Sequence, residues 1–175
     1  MGELHTAGKP SVTPRASVPK TNAMRILEAA GLPFGTASYE ADEEFLDAVT
    51  AARSLGAEPE AVFKTIVMRT ESNEVCVFCV PANAEVSLKK ARAVTGAREI
   101  GPVKPSELLA LTGYVRGGCS PIGMKRRYRT FVDETVYLLE EVFVSAGLKG
   151  LQLKLSPETL VGASGATVVD LAAPA

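Results

Sequence analysis

The residues that could do chemistry crowd into one stretch: Gly117-Gly118-Cys119-Ser120-Pro121-Ile122-Gly123-Met124-Lys125-Arg126-Arg127. It sets a thiol and a hydroxyl among three glycines, next to a run of positive charge. Two chemistries are open. Either Cys119 or Ser120 attacks an electrophile, or successive backbone amides converge on an anion or a polarised carbonyl oxygen. Glycines allow the close approach that the second reading needs, and Pro121 stiffens the turn while removing one donor. The first reading needs an activating base, because a free thiol titrates near ~8.5 and a serine depends on a base still more. The sequence holds one histidine, His5, in a Pro/Ser/Thr/Lys-rich stretch whose composition is that of a disordered tail. No Ser-His-Asp or Cys-His pair and no histidine-based zinc site is therefore expected in the folded body. Chemistry falls to Lys, Ser, Thr, Tyr, carboxylates, backbone amides, or groups that a substrate brings.

Outside that stretch, Lys64 lies within Ala61-Val62-Phe63-Lys64-Thr65-Ile66-Val67-Met68. On an alternating strand it shares a face with Val62 and Ile66, while Phe63, Thr65 and Val67 take the other. Such a lysine either snorkels to water or, partly desolvated, holds an anion; periodicity does not separate the two. Cys76 and Cys79 form a C-x-x-C, but positions three apart on a strand face opposite sides, so they read as buried small apolar residues. Tyr39 reads as an aromatic at the core edge. Lys125, Arg126, Arg127 and Arg129 read either as a solvated face or as a contact for an anionic partner.

The elements that must position these groups follow from caps and periodicity. Thr21 caps a helix over Asn22–Ala30 that Gly31 stops, and Asp42 caps a second whose Phe45, Leu46, Val49, Ala52 and Arg53 keep helical spacing. Strands are expected over 34–39, 61–69, 74–81, 98–100, 129–133, 141–145, 151–155 and 167–170, with a hairpin at Glu71-Ser72-Asn73. Further helices are expected over Leu88–Thr95 behind Ser87, over Pro105–Leu111, and after Ser156-Pro157-Glu158. Residues 113–124 read as a loop. Strands and helices mix without a βαβ rhythm, so the fold class is α+β with a curved mixed sheet.

The chain of 175 residues suits one domain over 20–175 behind a tail over 1–19. Net charge is −1, so bulk charge does not announce a nucleic-acid binder. Three cysteines, no apolar run of membrane-span length and no apolar leader predict a reduced, cytoplasmic protein.

Several segments together resemble one family. Val62-Phe63-Lys64-Thr65, Val80-Pro81 with Leu88-Lys89-Lys90, Thr112 through Gly123, Val142 through Gly147 and Lys149-Gly150-Leu151 are similar in order and spacing to the YbaK / prolyl-tRNA-editing family. The resemblance covers roughly residues 22–165. It implies a barrel-like mixed sheet surrounded by helices, and a free-standing editing enzyme without metal or other cofactor. The activity implied is that of deacylases that clear cysteine from tRNA(Pro), working with prolyl-tRNA synthetase in a ternary complex, without membrane or DNA. Hydrolysis of alanyl-tRNA(Pro) and a non-catalytic tRNA- or synthetase-binding module are the alternatives.

Carried over by position, the resemblance makes Lys64 the key lysine that orients the terminal nucleotide or the aminoacyl ester. Gly117, Gly118, Cys119, Ser120 and Pro121 become the Gly-x-x-x-Pro loop whose backbone holds the aminoacyl group. Tyr39, Thr65, Ser145 and Gln152 line the pocket, and Lys125, Arg126 and Arg127 are placed on the tRNA. In the family's cysteine-specific members the substrate's own thiol attacks its ester, which suits a folded body without histidine. Three positions depart from the pattern. Gln152 stands where Asp is common, which keeps an acceptor but loses the charge. Ser87 replaces a usual Asp, and Cys119 replaces an aliphatic residue.

Overall fold

A computed structural model describes residues 19–41 and 47–174. All but the last residue of the expected tail over 1–19, and the expected cap Asp42 with Phe45 and Leu46, lie outside the described residues. In chain order the elements are α1 (Asn22–Ala29), β1 (Gly35–Ser38), α2 (Ala48–Leu55), β2 (Phe63–Thr70), β3 (Val75–Pro81), β4 (Ala84–Val86), α3 (Leu88–Thr95), β5 (Ile100–Pro102), α4 (Leu108–Thr112), β6 (Arg129–Asp133), β7 (Val142–Leu148), β8 (Leu151–Leu155), α5 (Pro157–Ser164), β9 (Thr167–Val169) and β10 (Ala172–Pro174). Short 3-10 turns stand at 59–61, 105–107 and 134–138.

Local chemistry sets the helix ends. Thr21, Ser87 and Ser156 each accept the amide of the third residue onward, satisfying one of the donors that a helix start leaves open. Asp47 does the same for α2, with its carboxylate 2.7 Å from the Thr50 amide. The cap of this helix is thus Asp47, five positions beyond the expected Asp42. The Pro105 segment is a 3-10 turn leading into α4, because proline opens the turn and the five-residue helix ends at Gly113.

Five strands form a mixed sheet in the order β5-β2-β3-β6-β9. The β2–β3 hairpin runs from Phe63 opposite Pro81 to Arg69 opposite Val75, and β3–β6–β9 are parallel. Central β3 is buried from Cys76 to Pro81, which explains its unbroken apolar run. A three-stranded antiparallel sheet, β1-β8-β7, joins the larger one through a bridge between Val62 and Phe143. The result is a curved α+β assembly of open sheets among the described residues, not a closed barrel.

The main core lies where the two sheets face α1 and α5, around Leu27, Phe63, Cys79, Val132, Leu153 and Leu160. A second core on the other face of β3 takes Cys76, Phe78, Ala91 of α3, Phe131 and Leu171. Cys76 and Cys79 thus belong to separate cores, as strand alternation requires.

Two short strands, β4 and β10, pair with each other and were not expected. Their anchor is Asp133, 1% exposed. One carboxylate oxygen accepts the amides of Leu171 and Ala172, each at 2.9 Å, and the other accepts the Thr135 amide and hydroxyl. Burial raises the carboxyl's pKa, but the hydrogen bonds from Thr135, Leu171 and Ala172 outweigh it and hold the pKa below the ordinary value. No helix among the described residues is long and apolar enough to cross a membrane.

Candidate active site

Between α2, β2 and the junction of the two sheets lies a cleft of about 430 Å³. Its β2 wall carries Val62 through Ile66, its α2 wall Asp47, Ala48 and Ala51, and its far wall Arg116, Gly117 and Cys119. Tyr39, Ser145, Lys149 and Gln152 complete it. Of the residues expected to form the site, the fold therefore brings Tyr39, Lys64, Thr65, Gly117, Cys119, Ser145 and Gln152 into one concave surface.

Lys64 faces the cleft with its side chain only 19% exposed. Its ammonium donates to the Ala82 carbonyl at 3.4 Å and to Glu85 at 3.2 Å. Since the residue just after β3 and a residue of β4 supply those acceptors, the end of the β2–β3 hairpin fixes where the cation stands. The Thr65 hydroxyl lies 3.9 Å from Cys79 Sγ, its cross-strand partner. On the smaller sheet, Ser145 and Gln152 are direct partners across β7–β8. Ser145 Oγ accepts the Gly147 amide at 3.2 Å. Gln152 is 6% exposed and its Oε1 has no hydrogen-bond partner. A buried acceptor left open costs about 1–3 kcal/mol, so this atom marks a place where a donor is missing.

Residues 113–128 hold their shape without helix or strand. The Tyr114 hydroxyl donates to the Ile122 carbonyl at 2.7 Å, Tyr128 to the Leu111 carbonyl at 2.6 Å, and the Asn22 amide group to the Gly123 carbonyl at 2.7 Å. Burial pushes the Tyr114 phenol up to about 12, so it stays a donor. Not all of Gly117–Pro121 lines the cleft. The Gly118 amide is spent on the Val115 carbonyl at 2.9 Å. Ser120 is fully buried and its Oγ accepts the Ile122 amide, while Pro121 is buried beneath the loop. Ser120 and Pro121 brace the loop, and Gly117 and Cys119 are the members of the stretch that line the cleft.

The thiol of Cys119 is a poor nucleophile here. Burial pushes it up to about 11, with the Thr112 hydroxyl only partly opposing. Cys79 is pushed up to about 12 and Cys76 to about 11, both chiefly by burial. All three sit in surroundings that disfavour the thiolate.

Lys125, Arg126 and Arg127 are exposed and do not line the cleft. Arg129, from the same run, is engaged by Glu74 at 2.6 and 3.0 Å and by the Thr95 carbonyl. Cations that do line the cleft, Arg116 and Lys149, were missed. Each is a single charge followed by glycine, a weaker signal than the Lys125 run. Asp47, also missed, puts one carboxylate on the cleft rim. Its pKa is lowered first by the Thr50 backbone amide and then by the Thr50 hydroxyl.

Residues 42–163 match the family model described as the aminoacyl-tRNA editing domain. A protein of Enterococcus faecalis named "Putative Cys-tRNA(Pro)/Cys-tRNA(Cys) deacylase EbsC" is 36% identical over 152 residues, 87% of this chain and 93% of that protein. A proline–tRNA ligase of Brachyspira hyodysenteriae is 24% identical over 91 residues, 52% of this chain and 16% of the ligase. Among solved structures, one described as "a putative trans-editing enzyme for prolyl tRNA synthetase" superimposes with a TM-score of 0.77 at 26% identity, over 87% of this chain and 95% of that one.

Proposed function

This chain belongs to the aminoacyl-tRNA editing family, and from that premise we propose that it is a trans-editing deacylase that removes cysteine from mischarged tRNA(Pro). The observation that carries the reading is the character of the cleft. It offers a fixed ammonium, a glycine loop on its wall and an open buried acceptor, while the Cys119 thiol on that wall is pushed up to about 11. Such a site positions and polarises; it does not supply a nucleophile. A substrate that carries its own thiol fits it. The name of the Enterococcus relative, a deacylase of Cys-tRNA(Pro) and Cys-tRNA(Cys), agrees with this substrate class.

The step balances within the substrate. The cysteine sulfur bonds to its own ester carbonyl carbon, and the bond from that carbon to the ribose oxygen breaks. The thiol proton ends on the freed ribose hydroxyl, and a thiolactone leaves. The amides of Gly117 and Cys119 face the carbonyl oxygen as charge develops on it. Lys64 orients the terminal nucleotide or the ester. Gln152 Oε1 accepts a hydrogen bond from the α-ammonium, and Tyr39, Thr65 and Ser145 shape the wall around the aminoacyl group. Holding sulfur against carbon in this way is worth about 7 kcal/mol or more in well-oriented cases. Prolyl-tRNA synthetase is the protein partner of this reading, with the tRNA shared in a ternary complex. The solved trans-editing relative and the ligase segment support it.

The test gives purified protein cysteinyl-, alanyl- and prolyl-tRNA(Pro) and identifies what is released. Thiolactone from the first is the expected result. Alanine from the second would replace the reading with hydrolytic editing, and binding without release would make the protein a non-catalytic module.

A further inference from the structure

Among the described residues, Gln152 Oε1 is the buried side-chain oxygen left without a hydrogen-bond partner, and it belongs to a residue on the cleft wall. Strand alternation sets its surroundings. Leu151, Leu153 and Leu155 of β8 enter the main core, so Gln152 and Lys154 take the opposite face. Gln152 stands between Ala37 of β1 and Ser145 of β7. Ala37 brings no polar side chain, and Ser145 Oγ already accepts the Gly147 amide. Farther along the face, Lys154 pairs with Glu141 at 3.4 Å, so the carboxylate just before β7 is matched to a cation. Tyr39, two positions beyond Ala37, adds a phenol to the cleft.

The remaining charges of the cleft come from other elements. Lys64 lines it from β2, and Arg116 and Lys149 from two turns that touch, where a Cβ on Gly118 would lie 2.9 Å from the Lys149 amide nitrogen. The carboxylate of the lining among the described residues, Asp47, is exposed at the α2 cap and accepts the Thr50 amide. A donor that meets Gln152 Oε1 therefore finds a neutral acceptor in a buried place, with no carboxylate among its strand partners. An ammonium brings three N–H groups and a charge, and burying a charge without a partner is costly. An amide nitrogen brings one N–H and no charge, which one neutral acceptor satisfies. A cleft of about 430 Å³ lies toward the small end of ligand pockets, so a group carried on that nitrogen must be small.

We propose that Gln152 lets this site take aminoacyl esters whose α-nitrogen is uncharged, so that its substrates include esters blocked there by a small acyl group such as formyl or acetyl. The inference rests on the aminoacyl-ester reading of the cleft, and the step balances as before. The cysteine sulfur bonds to its ester carbonyl carbon, the bond from that carbon to the ribose oxygen breaks, the thiol proton ends on the ribose oxygen, and an N-acyl thiolactone leaves. The test reads binding and needs no turnover. Its probes are 3′-deoxy-3′-(alanylamino)adenosine, whose amide link resists cleavage, and the same compound acetylated on the α-nitrogen. Wild type binds the two within about threefold. Its hold on the free amine does not weaken as pH rises through the α-amino value of about 7.8. Gln152→Asp supplies a carboxylate, so at about pH 6 it favours the free amine by about tenfold or more, and it loses that preference as the amine gives up its proton. Gln152→Met, close in size but without the amide oxygen, weakens both analogues about tenfold. Exclusion of the acetylated analogue by wild type, or an unchanged ratio in Gln152→Asp, would overturn the inference. Binding of neither analogue by a protein that still cleaves cysteinyl-tRNA(Pro) would overturn it and leave the deacylase reading intact. Both analogues bound as expected, by a protein that releases nothing from cysteinyl-tRNA(Pro), would leave this inference standing and sink the catalytic one.

Discussion

On one side of the cleft Lys64 and Thr65 ride on β2, a strand paired along its length with β3 and at its end with β5. On the other side Arg116, Gly117 and Cys119 sit in a segment with no strand or helix between Gly113 and Tyr128. The β2 side is held by a ladder that tolerates many side chains, so a substitution at Lys64 should be felt by the ligand and not by the fold. The loop side is held by single hydrogen bonds and by glycine contacts, so damage there should reach fold and ligand together. Lys64→Ala is the sharpest test of the difference. Deacylation should fall about a thousandfold, the size of losing one group that stabilises developing charge. The thermal midpoint should stay within a few degrees. Activity retained, or a large drop in stability, would break the contrast.

Gly118→Ala tests the loop side. Its new methyl meets backbone at 2.9 and 3.0 Å, and backbone yields less easily than a side chain. The expected cost is about 3 kcal/mol in denaturant unfolding, with a parallel fall in activity as the turns separate. Stability lost with activity kept would mean that the loop's placement is not what the cleft depends on.

Acid finds the weak point behind the β2 side. Glu85, which meets the Lys64 ammonium, lies on β4, and β4 pairs with β10, whose entry Asp133 ties down. The Asp133 carboxyl has its folded pKa depressed, so its contribution is complete above the unfolded value near ~3.9 and is lost as pH falls through the folded one. Unfolding midpoints should drop over that acid range, and Asp133→Ala should flatten the dependence while costing about 2 kcal/mol at neutral pH. An unchanged acid limb in Asp133→Ala would assign it to other groups. Tyr114→Phe is milder. Loss of the hydroxyl bonded to Ile122 should cost about 1 kcal/mol in unfolding and little in turnover.

The same contrast explains what could be read from the chain. Capped helices at Thr21, Ser87 and Ser156, the β2–β3 hairpin and the two faces of β3 all depend on neighbours a few positions away, and they were legible. β4 and β10 were not: each is three residues long, and they exist because a carboxylate at position 133 captures amides at 171 and 172. In the cleft, Lys64 stood out as a charge set inside an apolar run of the strand. Arg116 and Lys149 did not, because their meaning comes from two turns 33 positions apart being brought into contact. The conspicuous run at Lys125–Arg127 is exposed and off the cleft lining, whereas the quieter Arg116 and Lys149 line it. Ser120 looked like a reactive hydroxyl and is a buried brace, since nothing in a Gly-Gly-Cys-Ser-Pro string says which residues the loop turns inward.

The smallest expected effect is the most informative about mechanism. Cys119 lines the cleft beside Gly117, where a catalytic nucleophile would stand, and its type invites that role. With the thiol pushed up to about 11, only about one in a thousand is ionised at pH 8. Burial dominates its surroundings, and the side chain that hydrogen-bonds it, Thr112, is a hydroxyl that also donates to the Leu108 carbonyl. In the proposed mechanism Cys119 acts through its backbone amide, which alanine keeps. Cys119→Ala should therefore change the turnover of cysteinyl-tRNA(Pro) by less than about twofold, with a small loss of stability from the trimmed sulfur. The pH profile of the variant should overlay that of the wild type, because in the proposed mechanism the thiol that titrates during turnover belongs to the substrate. Serine in place of the substrate's cysteine would remove that thiol, and turnover should then stop in wild type and variant alike. If Cys119→Ala is inactive though folded, the nucleophile is the protein's own and the two sides of the cleft exchange roles: the loop does the chemistry and β2 only holds the substrate.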